Sequence, residues 1–541
     1  MNACTRLLPI AIVLLALAAR LLPGPRTIDD AYITFRYARN LLAGEGFVYN
    51  AGERVLGTTT PLYGGLMAGI GLFTGGADAP FPEIALAANA IFDALTCLLF
   101  LHLGRQLDRP LAGTGAALTW AILPFSVTFA IGGMETSLFV LLLTGLAAAH
   151  LEGRRVLTAF LAALALLTRP DAALLVLPIG IDRLASFRII RGTGSCPPES
   201  AHKGRCYVFS DRFLFQLRNT KYAIRTLLPE LTAFLLPLLL WLIPATLYYG
   251  SPIPGSISAK SAAYLVPADA AFTRLTQHYA TPFMDNLTLG IAGIGLGVVL
   301  YPFLSLIAIR RYPRLWPWLA FPWLWYAAYV IAHPLIFRWY LTPPLPAYIF
   351  GIFLGMETIL GDLQLSRGSR SRWVRAATVG LILIPVGLTL RGWALSPDHG
   401  LTRPAPDMAW YALELKYRAA AEYLAPIIAA SPQPVVVAAG DIGTLGYLLP
   451  AKILDTLGLI SPEAIPYYPT RPEYHANAYA VAPDLIADLQ PDYVVLLEVY
   501  GRLGLFKDAR FQAQYELVHV VETDIYDSAG MLIFERKQAV P

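Results

Sequence analysis

Charge is scarce in this chain: Asp, Glu, Lys and Arg make up 14% of 541 residues, against 56% hydrophobic. With a mean hydropathy of +0.54, that excludes a soluble globular protein and places most of the chain in the polytopic membrane class. Cysteine is scarcer still, at four residues. Cys4 and Cys97 fall at or in membrane segments, and Cys196 and Cys206 in a Gly-, Pro-, Ser- and Arg-rich loop assigned below to the reducing cytosol, so no disulfide framework is expected. Cys196, His202 and Cys206 lack a fourth ligand and a recognised zinc spacing and read as unpaired thiols. There is no P-loop. The run Gly290-Ile-Ala-Gly-Ile-Gly-Leu-Gly297 lies inside an apolar span with no strand before it, and reads as helix packing through Gly293-xxx-Gly297.

Apolar runs of spanning length number about eleven. They are placed near residues 7–23, 82–104, 111–130, 137–151, 156–168, 170–184, 227–249, 286–309, 315–332, 341–360 and 376–393. The first, with Arg6 ahead of it, lacks a small-x-small cleavage site before Pro23 and is taken as an uncleaved anchor rather than a signal peptide. With the N-terminus inside, the inner connections carry Arg105 and Arg109, Arg154 and Arg155, a basic stretch at 183–225, Arg310, Arg311 and Arg314, and a basic stretch at 367–375. Every inner loop is basic, as membrane orientation requires. The net charge of +4 therefore reflects orientation and gives no reason to propose a nucleic-acid partner.

On that parity the connection over about 24–81, the turns at 132–136, 168–171 and 333–340, the loop at 249–285 and everything after Trp393 face outward. The tail has another composition. A helical pattern at 407–430, apolar runs at 434–439 and 493–497, a helix near 483–489 and alternation at 516–521 and 530–535 predict an α/β domain of about 140 residues. The chain thus divides into a membrane part, 1–393, and an extracytoplasmic domain, 394–541.

The most informative stretch is Asp29-Asp30-Ala31-Tyr32-Ile33-Thr34-Phe35-Arg36-Tyr37-Ala38-Arg39-Asn40. Thr27 and Asp30 have the spacing of a capping box, predicting a helix from about Ile28 to near Gly44 with both carboxylates in its first turn. Ala31, Phe35, Ala38 and Leu42 make an apolar face, with Asp29, Tyr32, Arg36 and Asn40 opposite; such a helix is expected to lie along the membrane surface. Charged groups on outward turns at membrane depth are costly and read as functional. They are Asp29, Asp30, Glu135 in Gly132-Gly-Met-Glu-Thr-Ser137, Arg169 and Asp171 in Thr168-Arg-Pro-Asp171, Lys260 in Ser258-Ala-Lys260, and Arg338 in Phe337-Arg-Trp-Tyr340. A carboxylate that takes a proton from an attacking hydroxyl, with cations that stabilise a departing phosphate, suits displacement of an anionic leaving group. Each has a structural alternative: capping for Asp29 and Asp30, a solvated turn for Glu135, an ion pair for Arg169 with Asp171, an exposed lysine for Lys260, and snorkelling for Arg338.

Together the stretch DDAYITFRYARNLLAGEGFVYNAGERVLGTTTPLY, then GGMETSLF, TRPDAALL, PIPGSISAK, FRWYLTPPLP and GDIGTLGYLLPAKILDTLGLISPE resemble, in order, the GT-C superfamily of polyprenyl-phosphate-sugar glycosyltransferases. The likeness covers nearly the whole chain and is nearest to the branch with actinobacterial cell-wall arabinofuranosyltransferases. It implies a bundle of membrane helices in a bacterial cytoplasmic membrane with a large first outer loop and an outer C-terminal domain. The implied donor is a polyprenyl-phosphate-linked sugar, and the acceptor a glycan, lipid or protein. An acidic residue at the start of the first outer loop is then the general base, matching Asp29, with Asp30 second and Glu135 a further acidic group. Tyr32, Arg36, Arg169, Lys260, Arg338 and Tyr340 are the substrate-binding candidates. Some relatives use a divalent ion, and Asp29, Asp30 and Glu135 would offer Mg²⁺ or Mn²⁺ an oxygen-only site. Asp441 and Asp455 match the tail motif without an assigned role. The rival readings are a flippase or transporter of a lipid-linked saccharide, for which no inverted repeat is seen, and a catalytically silent protein of the same fold.

Overall fold

The computed structural model describes residues 3–188, 220–283, 295–367, 371–391 and 409–537. The Cys196–Cys206 loop and Gly293 lie outside the described residues. Helix α1 (Ala3–Leu21) is followed, in the first long connection, by α2 (Asp29–Leu42) and α3 (Pro61–Thr74). The bundle continues with α4 (Phe81–Gln106), α5 (Pro110–Ile122), α6 (Pro124–Ile131), α7 (Thr136–Leu151), α8 (Arg155–Thr168), α9 (Ala173–Arg188) and α10 (Thr220–Tyr249). Two short helices, α11 (Ser256–Ala263) and α12 (Ala270–Ala280), precede α13 (Tyr301–Arg311), α14 (Trp316–Ala332), α15 (Leu345–Arg367) and α16 (Ser371–Arg391).

A helix lies in each of the eleven segments marked in the sequence, among the described residues. The segments differ in length. Phe81–Gln106, Leu227–Tyr249 and Arg338–Asp362 are long and apolar enough to cross a membrane, and α5 with α6 makes a fourth such stretch bent by 46° at Leu123–Pro124. Pro124 cannot donate the next backbone hydrogen bond, so the helix breaks there. The outside of the bundle is apolar: on α10, Leu240 is 68% and Leu247 81% exposed, a pattern that a hydrocarbon solvent accommodates and water does not. The fold is that of a polytopic helical membrane protein.

Beyond the bundle, α17 (Ala409–Ala430) packs on a five-stranded sheet of order β2-β1-β3-β5-β4. The strands are β1 (Val436–Ala439), β2 (Lys452–Asp455), β3 (Tyr493–Leu497), β4 (Tyr515–Val521) and β5 (Met531–Arg536), connected in part by α18 (Gly443–Leu448), α19 (Pro483–Leu489) and α20 (Ala509–Gln514). β1 pairs parallel with β2 and β3, while β5 runs antiparallel to β3 and β4. β1 and β3 are central and read as unbroken apolar runs, as strands covered on both faces do. β2 and α18 are absent from the sequence pattern. β2 has four residues, and α18 has two glycines in six, so neither reaches the length at which periodicity is legible.

This unit is not packed apart from the bundle. Ile33, Tyr37 and Tyr49 of the first long connection, and Ala259 and Ala263 of α11, belong to the same apolar core as the sheet.

Candidate active site

Helix α2 sits between the two halves. Its apolar side faces the bundle: Ala31, Phe35 and Ala38 are buried there, and Phe35 stacks on Phe81 at 6.0 Å between ring centres. Its polar side faces the C-terminal unit and not the membrane surface expected from the sequence. Arg36 donates to the carbonyls of Tyr49 (2.7 Å), Ala451 (3.1 Å) and Gly446 and lies over the Tyr49 ring. Tyr32 accepts from Arg418 at 2.9 Å. Neither Tyr32 nor Arg36 lines the cavity described below; their hydrogen bonds join the two halves.

The adjacent carboxylates have separate surroundings. The Thr27/Asp30 capping box is not formed: Ile28 is the N-cap and makes no side-chain cap hydrogen bond. Instead Asp29 reaches across the junction and accepts from the backbone N–H groups of Gly443 (Oδ2, 2.7 Å) and Thr444 (Oδ1, 2.7 Å), capping α18 in trans. Both of its oxygens are occupied and the residue is 7% exposed. The docking depends on missing side chains, since a Cβ at Gly443 would stand 1.7 Å from the Asp29 carbonyl oxygen and one at Gly446 1.7 Å from the Tyr49 hydroxyl.

Asp30 points the other way, into a cavity of about 740 Å³ that Asp29 does not line. Around it stand Thr58 and Thr60, Glu135, Arg169, Asp171, Ser256, Lys260, Tyr264, Tyr329 and Tyr340, with apolar walls that include Ala328, Leu335 and Trp339. Among the described residues the Asp30 carboxylate makes no hydrogen bond or ion pair, and neither does the Lys260 ammonium, which lies 5.1 Å from the Phe337 ring centre. Burial works against charge on Lys260, but Tyr340 and Asp30 outweigh it and hold its pKa above the ordinary lysine value.

The opposite wall is already paired. Arg169 bridges Glu135 (3.0 Å) and Asp171 (2.7 Å) and lies over Tyr340 at 4.9 Å, while Tyr329 donates to Asp171 at 3.0 Å. Burial raises the Glu135 pKa, and Arg169 opposes the rise. Arg169 is therefore spent on two carboxylates, the structural alternative named above. Arg338 does not line the cavity. It lies within electrostatic reach of the buried His278. No three His, Cys, Asp or Glu side chains among the described residues are placed to share a metal ion. Asp29, Asp30 and Glu135 do not come together as such a group.

The tail motif closes the cavity. Asp455 accepts from the N–H groups of Leu457 (2.8 Å) and Ile460 (3.1 Å) and so shapes the loop that sets Leu459 in the cavity wall. That loop seats on Gly57, where a Cβ would lie 2.4 Å from Ile460. Asp441 accepts from the Tyr417 hydroxyl at 2.8 Å. Sequence reading missed Thr58, Thr60, Ser256, Tyr264 and Leu459. The three consecutive threonines after Gly57 were the one available signal.

Buried carboxyls at this junction titrate high. Burial, then the neighbouring Asp29, pushes Asp441 up to about 7; burial raises Asp29 to about 6 against the Thr444 and Gly443 hydrogen bonds, and Glu414 to about 7 against Arg418. An acid whose folded pKa is raised stabilises the fold fully below its unfolded value near 4, and that contribution is lost as pH rises through about 6 to 7. The full chain in detergent is expected to melt at a higher temperature at pH 5 than at pH 8, with Asp441→Asn removing much of the difference. Identical melting curves for wild type at the two pH values would contradict the assignment.

The class defined by fold and site is a helical membrane protein with a cavity at the junction of its bundle and an α/β unit, the GT-C fold. Its C-terminal unit coincides with a family match at residues 409–537, described as a domain of unknown function (DUF8728). Over 98% of its length, ArnT from Cupriavidus metallidurans, crystallised bound to undecaprenyl phosphate, superposes on 99% of this chain with a TM-score of 0.50 at 14% identity. Mycobacterial arabinofuranosyltransferase AftD aligns with 98% of this chain over 41% of its own, at 14% identity and a TM-score of 0.41. In sequence, the terminal β-(1→2)-arabinofuranosyltransferase of Mycobacterium tuberculosis is 36% identical over 117 residues. The match spans 20% of this chain and 18% of that relative.

Proposed function

We propose that this chain is an inverting glycosyltransferase that moves a sugar from a polyprenyl phosphate to a cell-envelope acceptor on the outer face of a bacterial cytoplasmic membrane. The carrying observation is that Asp30 and Lys260, neither of which makes a hydrogen bond or ion pair among the described residues, share one cavity. Its size suits a glycosyl group and its walls are partly apolar. Basic inner loops support eleven spans for residues 1–393 and an external position for residues 394–541.

In this reading the acceptor hydroxyl attacks the anomeric carbon and its proton passes to Asp30. The bond from that carbon to the phosphate oxygen breaks, the electron pair stays on the phosphate, and Lys260 stabilises the charge. One displacement with one base inverts the anomeric centre. The apolar wall of Ala328, Leu335 and Trp339 receives the isoprenoid part of the donor, and Tyr340, held beneath Arg169, borders the phosphate.

Purified protein in lipid nanodiscs, given a polyprenyl-phosphate-linked sugar and envelope glycan, is expected to form a new glycosidic bond and release polyprenyl phosphate. Movement of intact lipid-linked saccharide between leaflets without bond formation would favour a flippase instead. Charge-assisted contacts to phosphate are worth about 1.5–3 kcal/mol, so Lys260→Ala is expected to weaken donor use by roughly ten- to a hundredfold. Arg338→Ala, away from the cavity, is expected to change it little. The reverse ranking of the two variants would return the phosphate to Arg338.

A further inference from the structure

Two polar side chains inside the bundle have no part in the mechanism above. Asn89 and Asp93 stand four residues apart on one face of α4 and are fully buried. Such groups are costly at membrane depth unless every hydrogen-bonding position is filled, and here they are. The Asn89 amide donates to the carbonyls of Ala130 (3.2 Å) and Met134 (2.9 Å) and accepts from Tyr63 at 3.4 Å, whose hydroxyl also reaches the Gly133 carbonyl at 3.1 Å. Asp93 accepts from Ser137 (3.0 Å) and Trp120 (3.0 Å) and pairs with the buried Arg20 at 2.7 Å. Arg20 is held in turn by the carbonyls of Ala16 and Ala121 and the Ser126 hydroxyl.

The bonds of Asn89 and Tyr63, and that of Asp93 to Ser137, converge on the turn between α6 and α7. The end of α6 leaves carbonyls without helical partners, and each from residue 130 to 134 is taken by a fixed donor. Asn89 serves Ala130 and Met134, and Tyr63 serves Gly133. The backbone of Arg26 and Ile28 serves Ile131 (2.8 Å) and Gly132 (3.0 Å). The next residue is Glu135, and Ile28 leads directly into Asp29 and Asp30. Two of the three carboxylates that border the cavity, Asp30 and Glu135, thus flank one clamped turn.

We propose that Asn89 and Asp93, the latter through Ser137, are positioning residues that fix Glu135, and through it the Arg169 that lies over Tyr340, relative to the cavity. The proposal rests on the function assigned above. Displacement of a reacting group by about 1 Å costs up to roughly a hundredfold in rate.

Ser137→Ala frees the turn from Asp93 without leaving Arg20 unpaired. Asn89→Leu removes both amide bonds in a similar volume. Each is expected to lower kcat about tenfold or more with donor KM within about twofold of wild type. In a Glu135→Gln background the same substitutions are expected to cost less than about twofold, because residues that act through a shared group are not additive. Equal losses in both backgrounds would mark them as merely structural and overturn the proposal. Hydrogen exchange supplies an arm independent of turnover: amides at 132–137 are expected to exchange at least about tenfold faster in either variant, while the rest of α7 is unchanged. Unchanged exchange at the turn overturns the positioning role whatever the activity. A wild-type protein that transfers no sugar would instead count against the function itself.

Discussion

Asp30→Asn is expected to lower glycosyl transfer at least about a hundredfold while membrane insertion and donor binding stay near wild type. A hydroxyl attacking an anomeric carbon must lose its proton as the bond forms, and a positioned base contributes about 10²- to 10⁴-fold. The amide keeps the volume of the carboxylate and removes its basicity. Because Asp30 caps nothing and pairs with nothing among the described residues, little stability is at stake. Asp29→Asn is expected to behave in the opposite way. One of its oxygens becomes an NH₂ facing a backbone N–H of α18, so the junction loosens and the melting temperature falls, with transfer reduced only as far as α2 shifts. Abolished transfer in Asp29→Asn at an unchanged melting temperature would move the base back to Asp29. Near-wild-type transfer in Asp30→Asn would leave Glu135 as the next carboxylate to test.

The second large effect belongs to a glycine. Gly443→Ala places a methyl 1.7 Å from the Asp29 carbonyl oxygen and 2.5 Å from its carbonyl carbon. Both are backbone atoms, so no side chain can swing aside. The clash separates α18 from α2 and breaks both Asp29 hydrogen bonds at once. A loss of roughly 3 kcal/mol or more is expected, at the upper end for overpacking because main chain must move on both sides. Transfer is expected to fall with it, since Leu459 and the Asp455 loop form part of the cavity wall. Thermal melting and limited proteolysis of the C-terminal unit in detergent measure the effect. An unchanged proteolytic pattern and melting temperature would show that the docked arrangement is not maintained in solution. Gly446→Ala meets the Tyr49 hydroxyl instead, the far end of a side chain, and is expected to be milder.

How much of this was legible in advance follows from the range of the interactions. The membrane class, the helical segments and most of the sheet were readable because hydrophobic runs and alternation are local, repeated over many residues, and tied to a bilayer of fixed thickness. The motifs that carry chemistry were readable as well, because charges on turns between apolar spans stand out against their surroundings. The roles within those motifs were not. A capping box is a local pattern, and on that pattern Asp30 had a structural task and Asp29 was free. In the structure it is Asp29 that is held, since a carboxylate satisfied by two N–H groups more than 400 residues away leaves no trace in its own sequence window.

The same reason separates the other residues. Arg36 and Tyr32 look like ligands of an exposed helix until the C-terminal unit covers them. Arg169 looks like a free cation until Glu135 is brought beside it from another turn. Arg338 sits in the most suggestive local motif, yet of its turn it is Phe337, Trp339 and Tyr340 that line the cavity. The sequence by itself determined that this is a helical membrane protein, where its charged turns lie, and which side chains were available for chemistry. Only the tertiary structure decided which of them are spent on each other and which remain free, because a charge is neutralised by neighbours within a few ångströms, and those neighbours come from distant parts of the chain.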